Sequence, residues 1–311
     1  MIFNQIPTFK RDAQGRIFVN PERQFVKPFE LPTDPPNVTI TVPAGGRVGP
    51  FPFTARWDGP IEIFYIKATV GSVEGIENFI TDYQLRVLIE SPGKRKVLMN
   101  RPIQLTSIAG CAGRVFVLPE SIFLPNPQSL DITIFSDEAV DRNVEITLGA
   151  IKFYPNQAPE QIRSDLYGYA SLRSRTYCYF QTTEQDVVLT AGATATNFAN
   201  VPDDADLELY KFTARDSNTT AGESFRTRIR DMATDSALTG AQIIAPNLWG
   251  GHDPTPIGGN IGGSGGVFPY RLATTMLVRR STQLEFVTTE LGGGTHTIQY
   301  CLSGRKVENA P

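Results

Sequence analysis

An internal repeat constrains this chain more than any other feature of its 311 residues. Residues 39–45 match residues 186–192, and both segments end in Ala-Gly. Four further segments recur in the same order: 61–64 as 207–210, 85–89 as 225–229, 130–132 as 284–286, and 144–148 as 298–302. An order preserved over so many segments indicates that one domain has been duplicated. The alternative is convergence, because any two β-domains share alternating patterns.

The repeated segments alternate apolar with polar or charged residues, as in Leu130-Asp131-Ile132 and Val144-Glu145-Ile146. Alternation with a period of two is typical of a strand that buries one face. The 27 glycines and 23 prolines interrupt the chain too often for long helices. The sequence therefore predicts an all-β protein of two tandem antiparallel β-sandwich domains of jelly-roll type.

Four units are predicted along the chain. Residues 1–36 contain six prolines and scattered apolar residues, which predicts an extended N-terminal arm that cannot build its own core. A neighbouring subunit is expected to hold this arm. The first sandwich is predicted at 37–155, a linker with one short helix at 156–176, and the second sandwich at 177–311. The helix is expected over 159–167, since Pro159 suits its first turn and Gly168 follows its end.

Charge and composition indicate which partners and environments are expected for this chain. The chain has 29 basic and 32 acidic side chains, with a formal net charge of −3. This balance argues against a nucleic-acid surface, so nucleic-acid contact is not expected. No segment approaches the roughly 20 apolar residues of a membrane span, and none is expected. Cys111, Cys178 and Cys301 are odd in number and widely spaced, which predicts buried thiols in a reducing compartment.

Few residues have side chains that could act in catalysis or bind a metal ion or phosphate. His252 and His296 both lie beside glycine-rich turns, where exposed polar residues are common, so neither is predicted to act in catalysis or metal binding. The carboxylates of residues 201–206 are interpreted as turn chemistry rather than as a calcium site. The Gly-rich loop at 250–266 is interpreted as a subunit-embracing loop rather than a phosphate cradle. The basic residues at 94–96 and 279–280 are expected to be solvated. No enzyme activity, catalytic residue, cofactor or metal is predicted.

Interface residues are predicted instead. Trp57 and Trp249 lie close to Gly/Pro turns, which favours contact with a partner over anchoring in a core. The full set of candidate interface residues consists of apolar, aromatic and loop side chains in the arm and loops: Phe3, Ile6, Phe18, Phe25, Trp57, Trp249, His252 and Tyr270.

Two segments resemble a known group of proteins. Residues 225–231 with Leu238, and residues 108–119 followed by 123–126, look like parts of uncharacterised structural proteins encoded among bacteriophage virion genes. The duplicated layout also resembles the minimal double jelly-roll capsid proteins of icosahedral, membrane-containing phages, in which two such domains stand side by side. The resemblance covers about residues 84–154 and 224–304. The second half departs from it, because residues 267–270 only loosely replace Leu118-Pro119-Glu120.

The resemblance implies a non-enzymatic structural subunit of a bacteriophage virion, made in the host cytoplasm. It would serve the capsid shell or an accessory assembly at the head or head-to-tail region, and its partners would be further copies of itself and other virion proteins. One alternative is a receptor- or glycan-binding module, with exposed aromatics such as Trp249 and Tyr270 lining a groove. A second is an enzyme that acts on cell-wall polymer, which would need two neighbouring carboxylates.

Overall fold

The computed structural model describes residues 9–11, 17–19, 26–32, 39–55, 59–71, 84–91, 96–110, 116–125, 127–154, 176–217, 225–244 and 270–307. These residues form antiparallel strands and one helix of a single turn. Within this part of the chain, no helix is long and apolar enough to cross a membrane.

The first sandwich has two five-stranded sheets. Its strands and helix are β3 (Val26–Pro32), β4 (Ile40–Val42), β5 (Arg47–Thr54), β6 (Ile61–Gly71), β7 (Leu85–Ser91), β8 (Lys96–Val97), β9 (Ile103–Gln104), α1 (Leu105–Ile108), β10 (Phe116–Leu124), β11 (Ser129–Ser136) and β12 (Arg142–Phe153). One sheet has the order β10-β6-β12-β3, with β4 also paired to β12. The other has the order β5-β11-β7-β8, with β9 also paired to β7.

The second sandwich repeats this arrangement strand for strand. Its strands are β13 (Thr176–Gln181), β14 (Val187–Leu189), β15 (Thr194–Asn200), β16 (Asp206–Asp216), β17 (Phe225–Asp231), β18 (Ser236–Ala237), β19 (Ile243–Ile244), β20 (Tyr270–Val278), β21 (Gln283–Glu290) and β22 (His296–Val307). The sheet orders are β13-β22-β16-β20, with β14 on β22, and β15-β21-β17-β18, with β19 on β17.

Strand pairing is nested in both sandwiches. In the first, β4 pairs with β12, β5 with β11, β6 with β10 and β7 with β8, so each pair encloses the next. The second sandwich nests β14 with β22, β15 with β21, β16 with β20 and β17 with β18. A nested set of eight strands folded into two sheets is the jelly-roll arrangement. The predicted fold class of two tandem antiparallel β-sandwiches is therefore confirmed.

A shared irregularity supports duplication over convergence. The pairing of β6 with β12 skips Phe64, and the pairing of β16 with β22 skips Tyr210. Each skipped residue is a bulge, and the two bulges lie at matching positions in the third nested strand. Alternation alone does not require a bulge at this point, so the repeat extends beyond hydrophobic pattern.

The predicted arm needs one correction. Residues 26–32 form β3, which pairs along β12 from Val26 opposite Phe153 to Pro32 opposite Thr147. Prolines predict irregular structure because they lack an N–H donor. They are nevertheless tolerated in an edge strand such as β3. Earlier in the arm, β1 (Phe9–Arg11) and β2 (Ile17–Val19) form a two-stranded sheet of their own. The other domain boundaries remain predictions.

The described helix is not the predicted one. The helix expected at 159–167 lies outside the described residues, whereas α1 covers Leu105–Ile108 in the first sandwich. A single turn of four residues is too short to leave a helical period in the sequence.

Each sandwich has an apolar core between its sheets. Ile63, Val87 and Ile132 belong to the first core, and Leu209, Ile229 and Phe286 belong to the second. The first cluster also contains Cys178, Phe180 and Cys301, which come from strands of the second sandwich. The two sandwiches are therefore joined by continuous packing.

Candidate functional site

The best-defined surface on this chain is the contact between its two sandwiches, here called the seam. Tyr179 points into the second core, whereas its neighbours Cys178 and Phe180 point to the opposite face of the sheet. Phe180 and Cys301 are fully buried on that outer face, in one cluster with residues of the first sandwich. The Phe180 ring lies 6.3 Å from the ring of Phe116 in β10. The apolar part of the seam is thus a continuation of the first core.

The first sandwich supplies an edge rather than a face. The Gln104 N–H at the end of β9 donates to Gln299 Oε1 at 2.6 Å, and Gln299 Nε2 donates to the Pro102 carbonyl at 3.2 Å. The Phe180 N–H donates to the Leu98 carbonyl at 2.8 Å. Because these bonds join backbone to the other domain, they fix the orientation of the two sandwiches.

Asp186 carries the main charge of the seam. Its carboxylate lies 3.0 Å from Arg86 Nη2 and also pairs with Arg101, and both arginines belong to the first sandwich. Arg101 Nε donates in addition to the Thr183 carbonyl at 2.8 Å. The Asp186 side chain is only 14% exposed, so its hydrogen bonds to arginine are of the charge-assisted kind that holds geometry well.

Stacked cations and aromatic rings close another part of the seam. Lys96 Nζ of the first sandwich lies 4.1 Å from the centroid of the Tyr177 ring. Within the second sandwich, Lys306 Nζ lies 4.4 Å from the centroid of the Tyr179 ring. Lys306 Nζ also lies 2.8 Å from Asp204 Oδ1. The expectation that Lys96 is simply solvated is therefore wrong. Its ammonium binds an aromatic face of the other domain, which the sequence spacing of the two residues conceals.

The first sandwich has a face that matches the covered face of the second, and the second has an edge that matches the buried edge of the first; no described residue covers either of them. Phe180 lies opposite Ser303 in β22, and the residue at the matching point of the first sandwich is Glu30, opposite Gly149 in β12. Glu30 is exposed and pairs with Lys67 at 3.0 Å. Ile244, which matches Gln104, is 36% exposed. Among the described residues, the first sandwich thus has an exposed polar face, and the second has an edge that exposes Ile244.

The candidate interface residues are not tested by these contacts. Phe18 lies in β2 opposite Lys10, and Tyr270 begins β20 opposite Phe212. Phe3, Ile6, Phe25, Trp57, Trp249 and His252 lie outside the described residues, as does the Gly-rich loop at 250–266. All eight remain predicted interface residues.

The seam residues were missed although the sequence carries a signal for them. Tyr177-Cys178-Tyr179-Phe180 and Tyr300-Cys301-Leu302 are unbroken apolar runs within otherwise alternating strands. Such runs indicate a strand that is buried on both faces.

Cys178 and Cys301 are free, buried thiols, in line with the prediction, and burial raises the pKa of Cys301 to about 12. Cys111 lies outside the described residues.

His296 requires a correction. It was expected on the surface beside a turn, but its side chain is fully buried. Its Nδ1 lies 2.5 Å from Asp216 Oδ2 and its Nε2 lies 3.7 Å from Glu290 Oε1. As the first residue of β22 it shares the inward face of Ile298 and Tyr300, which the neighbouring turn does not reveal. The matching residue of the first sandwich is Arg142, paired with Glu138 at 3.0 Å.

Glu290 ties two turns of the second sandwich together. One of its oxygens accepts the Gly192 N–H at 2.5 Å, and the other accepts N–H groups from Gly292, Gly293 and Gly294. These bonds, the one from Gly192 foremost, lower the pKa of Glu290 from 4.5 to about 2. Hydrogen bonds to an ionised carboxylate stabilise the charged form, so the corner depends on that charge.

Acid is therefore expected to weaken the fold through Glu290. The pKa of this carboxyl is lower in the folded chain, so its contribution is complete above about pH 4.5 and disappears as the pH falls toward 2. Glu290→Gln should make the free energy of unfolding fall less steeply between these values, as measured by urea denaturation. Glu145→Gln, at an exposed carboxylate of β12, is the control. An unchanged acid slope in Glu290→Gln would contradict the assignment.

The carboxylates at 201–206 serve the fold in the described structure. Asp206 accepts the Arg280 N–H at 2.9 Å and pairs with Arg279 at 3.0 Å, and the Arg280 bond is the first cause that lowers its pKa. Asp206 thus holds the turn between β20 and β21. Arg279 is therefore ion-paired rather than only solvated.

A recess of about 470 Å³ opens at one end of the second sandwich, beside Asn200, Met232 and Gln283. Its lining contains no aromatic residue, so it is not the aromatic groove that a glycan-binding module would present.

Comparison with known proteins finds remote similarity to solved structures. No protein-family model matches the chain, and no curated protein sequence matches it. A chain from the atomic structure of Sulfolobus Turreted Icosahedral Virus is 11% identical, with 91% of each chain covered and a TM-score of 0.41. A chain from the crystal structure of the infectious bursal disease virus VP2 subviral particle is 8% identical, with 98% of this chain covered and a TM-score of 0.25. This chain spans 46% of that second protein. Likenesses this remote carry no information on function, which has to be judged from the surfaces of the chain itself.

Proposed function

We propose that this chain is a non-enzymatic structural subunit of a virus particle, which assembles with further copies of itself through the surfaces of its two sandwiches. The observation that carries the proposal is that the two sandwiches, although they share one fold, bury different surfaces in the seam. The second sandwich contributes a sheet face to the seam and the first contributes an edge, so one face and one edge of the same kinds remain free. An unused face on one sandwich and an unused edge on the other favour head-to-tail association between copies.

The free surfaces can be matched point by point with the seam. Within the chain, Gln104 of the edge meets Gln299 of the face. The corresponding free residues are Ile244, on the edge of the second sandwich, and Glu145, on the exposed face of the first. A second copy that repeats the seam brings Ile244 of one chain next to Glu145 of the other. Burial of exposed apolar residues such as Ile244 would favour this contact, in which the Glu30 and Glu145 carboxylates would have to stay hydrated or gain cationic partners.

The test is the oligomeric state of the full-length purified chain across a concentration series, by sedimentation velocity. Wild type is expected to form assemblies, and Ile244→Asp is expected to shift the association midpoint at least tenfold, because a charge replaces an apolar contact. Val188→Asp is the matched control, since Val188 is 62% exposed but lies on β14, away from the free edge.

A chain that stays monomeric at high concentration, together with particles that are intact and infectious without it, would overturn the proposal. Equal effects of Ile244→Asp and Val188→Asp would show that the free edge is not the contact. A density map of assembled particles at side-chain resolution would give the copy number and symmetry directly.

The bacteriophage particle is the specific setting that we propose, with synthesis in the host cytoplasm. It is supported by the segment resemblance at residues 84–154 and 224–304, and the role in shell or head-to-tail accessory assembly follows from the same resemblance. Other virion proteins are further proposed partners. Detection of the chain in purified phage by mass spectrometry tests this setting.

A further inference from the structure

The two sandwiches differ at one outer edge of their matching sheets. In the first, β5 is the edge strand beside β11, and it contains Pro50 and Pro52. The Ala55 N–H donates inward to the Gln128 carbonyl, so the even-numbered residues of this part of β5 face outward. Pro52 therefore lies where an incoming strand would need an N–H donor, so this edge is a poor template for an added strand.

The corresponding edge of the second sandwich lacks such a proline. The strand β15 has the sequence TATNFAN, without proline or charge. The Glu290 N–H donates to the Ala193 carbonyl, so Thr194, Thr196 and Phe198 direct their backbone groups outward. Phe198 lies opposite Glu285 in the place where Pro52 lies opposite Asp131. An uncharged edge with its donors intact is a template for an added strand.

One end of this edge is already closed within the chain. The Glu184 N–H donates to the Phe198 carbonyl at 2.9 Å, and Glu184 Oε1 accepts the Asn200 N–H at 3.2 Å. Among the described strands, β15 pairs only with β21. Within the described part of the chain, the backbone groups left for a partner are those of Thr194, Thr196 and the Phe198 N–H, which suit a strand of about three residues.

The chain itself carries such a strand. The hairpin of β1 and β2 has two strands of three residues each, and it is hydrogen-bonded to no other described strand. A two-stranded hairpin alone is marginally stable in water and gains stability from a third strand. Lys10 and Arg11 give β1 a positive charge, whereas β15 is neutral and the exposed carboxylate of Glu184 flanks it. Charge therefore favours this pairing.

We infer that the β1–β2 hairpin of one copy adds through β1 to the outer edge of β15 in a second copy and extends the sheet β15-β21-β17-β18. This inference rests on the proposed function, because it names the segment and edge through which neighbouring subunits are linked. It also explains why the duplicated sandwiches protect one edge with a proline and leave the other accessible.

Cross-linking between two full-length variants tests the inference. One copy carries Lys10→Cys and an affinity tag, and the other carries Thr196→Cys without a tag. A short bismaleimide is expected to give a tagged–untagged dimer in the mixture, at least tenfold above the yield of either variant alone or of wild type. Adding Phe198→Pro to the second copy removes an outward N–H and should lower the yield about tenfold, whereas Phe198→Val should not.

The outcomes separate this inference from the proposed function. Pro52 at the matching place shows that the fold tolerates proline there, and thermal unfolding of Phe198→Pro verifies it. Dimers formed by Thr196→Cys alone would show that β15 pairs with itself and would overturn the hairpin as occupant. An intrachain link in a chain that carries both cysteines would do the same. If no link forms while assemblies persist and respond to Ile244→Asp, the inference fails and the proposed function stands.

Discussion

Phe180→Glu is expected to destabilise the folded chain by about 4 kcal/mol or more, because it removes a buried aromatic side chain and places a charge in the apolar seam. Phe180 is fully buried and lies 6.3 Å from Phe116. The variant introduces the residue that the first sandwich has at the matching position, Glu30, where the side chain is exposed. A carboxylate is thus tolerated where water reaches it and is disfavoured where it would be fully buried without a partner.

Urea denaturation of the full chain, followed by tryptophan fluorescence and far-ultraviolet circular dichroism, measures this effect. Phe180→Leu keeps the site apolar and is expected to cost about 1 kcal/mol. Glu30→Gln, on the matching free face, should change stability by less than about 0.5 kcal/mol. A cost of Phe180→Glu no greater than that of Phe180→Leu would mean that the seam opens readily to water.

His296→Leu is expected to cost about 3–5 kcal/mol, because it leaves Asp216 buried without its imidazole partner. The two groups are 2.5 Å apart, and both side chains are almost completely buried. The imidazole contacts Asp216 through Nδ1, whereas its buried Nε2 lies 3.7 Å from Glu290 Oε1 and makes no hydrogen bond to a described residue. Leucine fills a similar volume but donates no hydrogen bond.

The double variant His296→Leu with Asp216→Asn separates charge from packing. Because asparagine carries no charge, the double variant should recover at least half of the stability lost in His296→Leu, as measured by the same denaturation. If Asp216→Asn gives no recovery, the loss comes from packing against Phe225, whose ring lies 6.1 Å from that of His296.

Much of the fold was accessible from pattern alone. The alternation in residues 85–89 and 225–229 predicted β7 and β17, and the preserved order of segments predicted two sandwiches of one kind. The arm at 26–32 was misjudged, because a proline-rich segment looks the same in sequence whether it is free or an edge strand. Pairing with β12 decides between the two states, and that pairing involves residues more than a hundred positions away.

The candidate site was less accessible than the fold. The apolar run at Tyr177-Cys178-Tyr179-Phe180 indicates burial on both faces but does not reveal what covers the second face. Lys96 was interpreted as a solvated charge because its aromatic partner, Tyr177, lies in the other sandwich. His296 was interpreted as a turn residue because its inward direction depends on its register with Leu189 in β14.

The sequence by itself determined the period of two, the turns and the repeat, and hence a duplicated antiparallel sandwich, because those features depend on neighbours along the chain. Tertiary structure alone decided which of two similar faces is covered, which charges meet across the seam, and which backbone donors of β5 and β15 point outward. These properties depend on register and on contacts between distant segments, and a local sequence pattern carries no information about either. The difference between the covered Phe180 and the exposed Glu30 therefore becomes visible only when the two sandwiches are placed side by side.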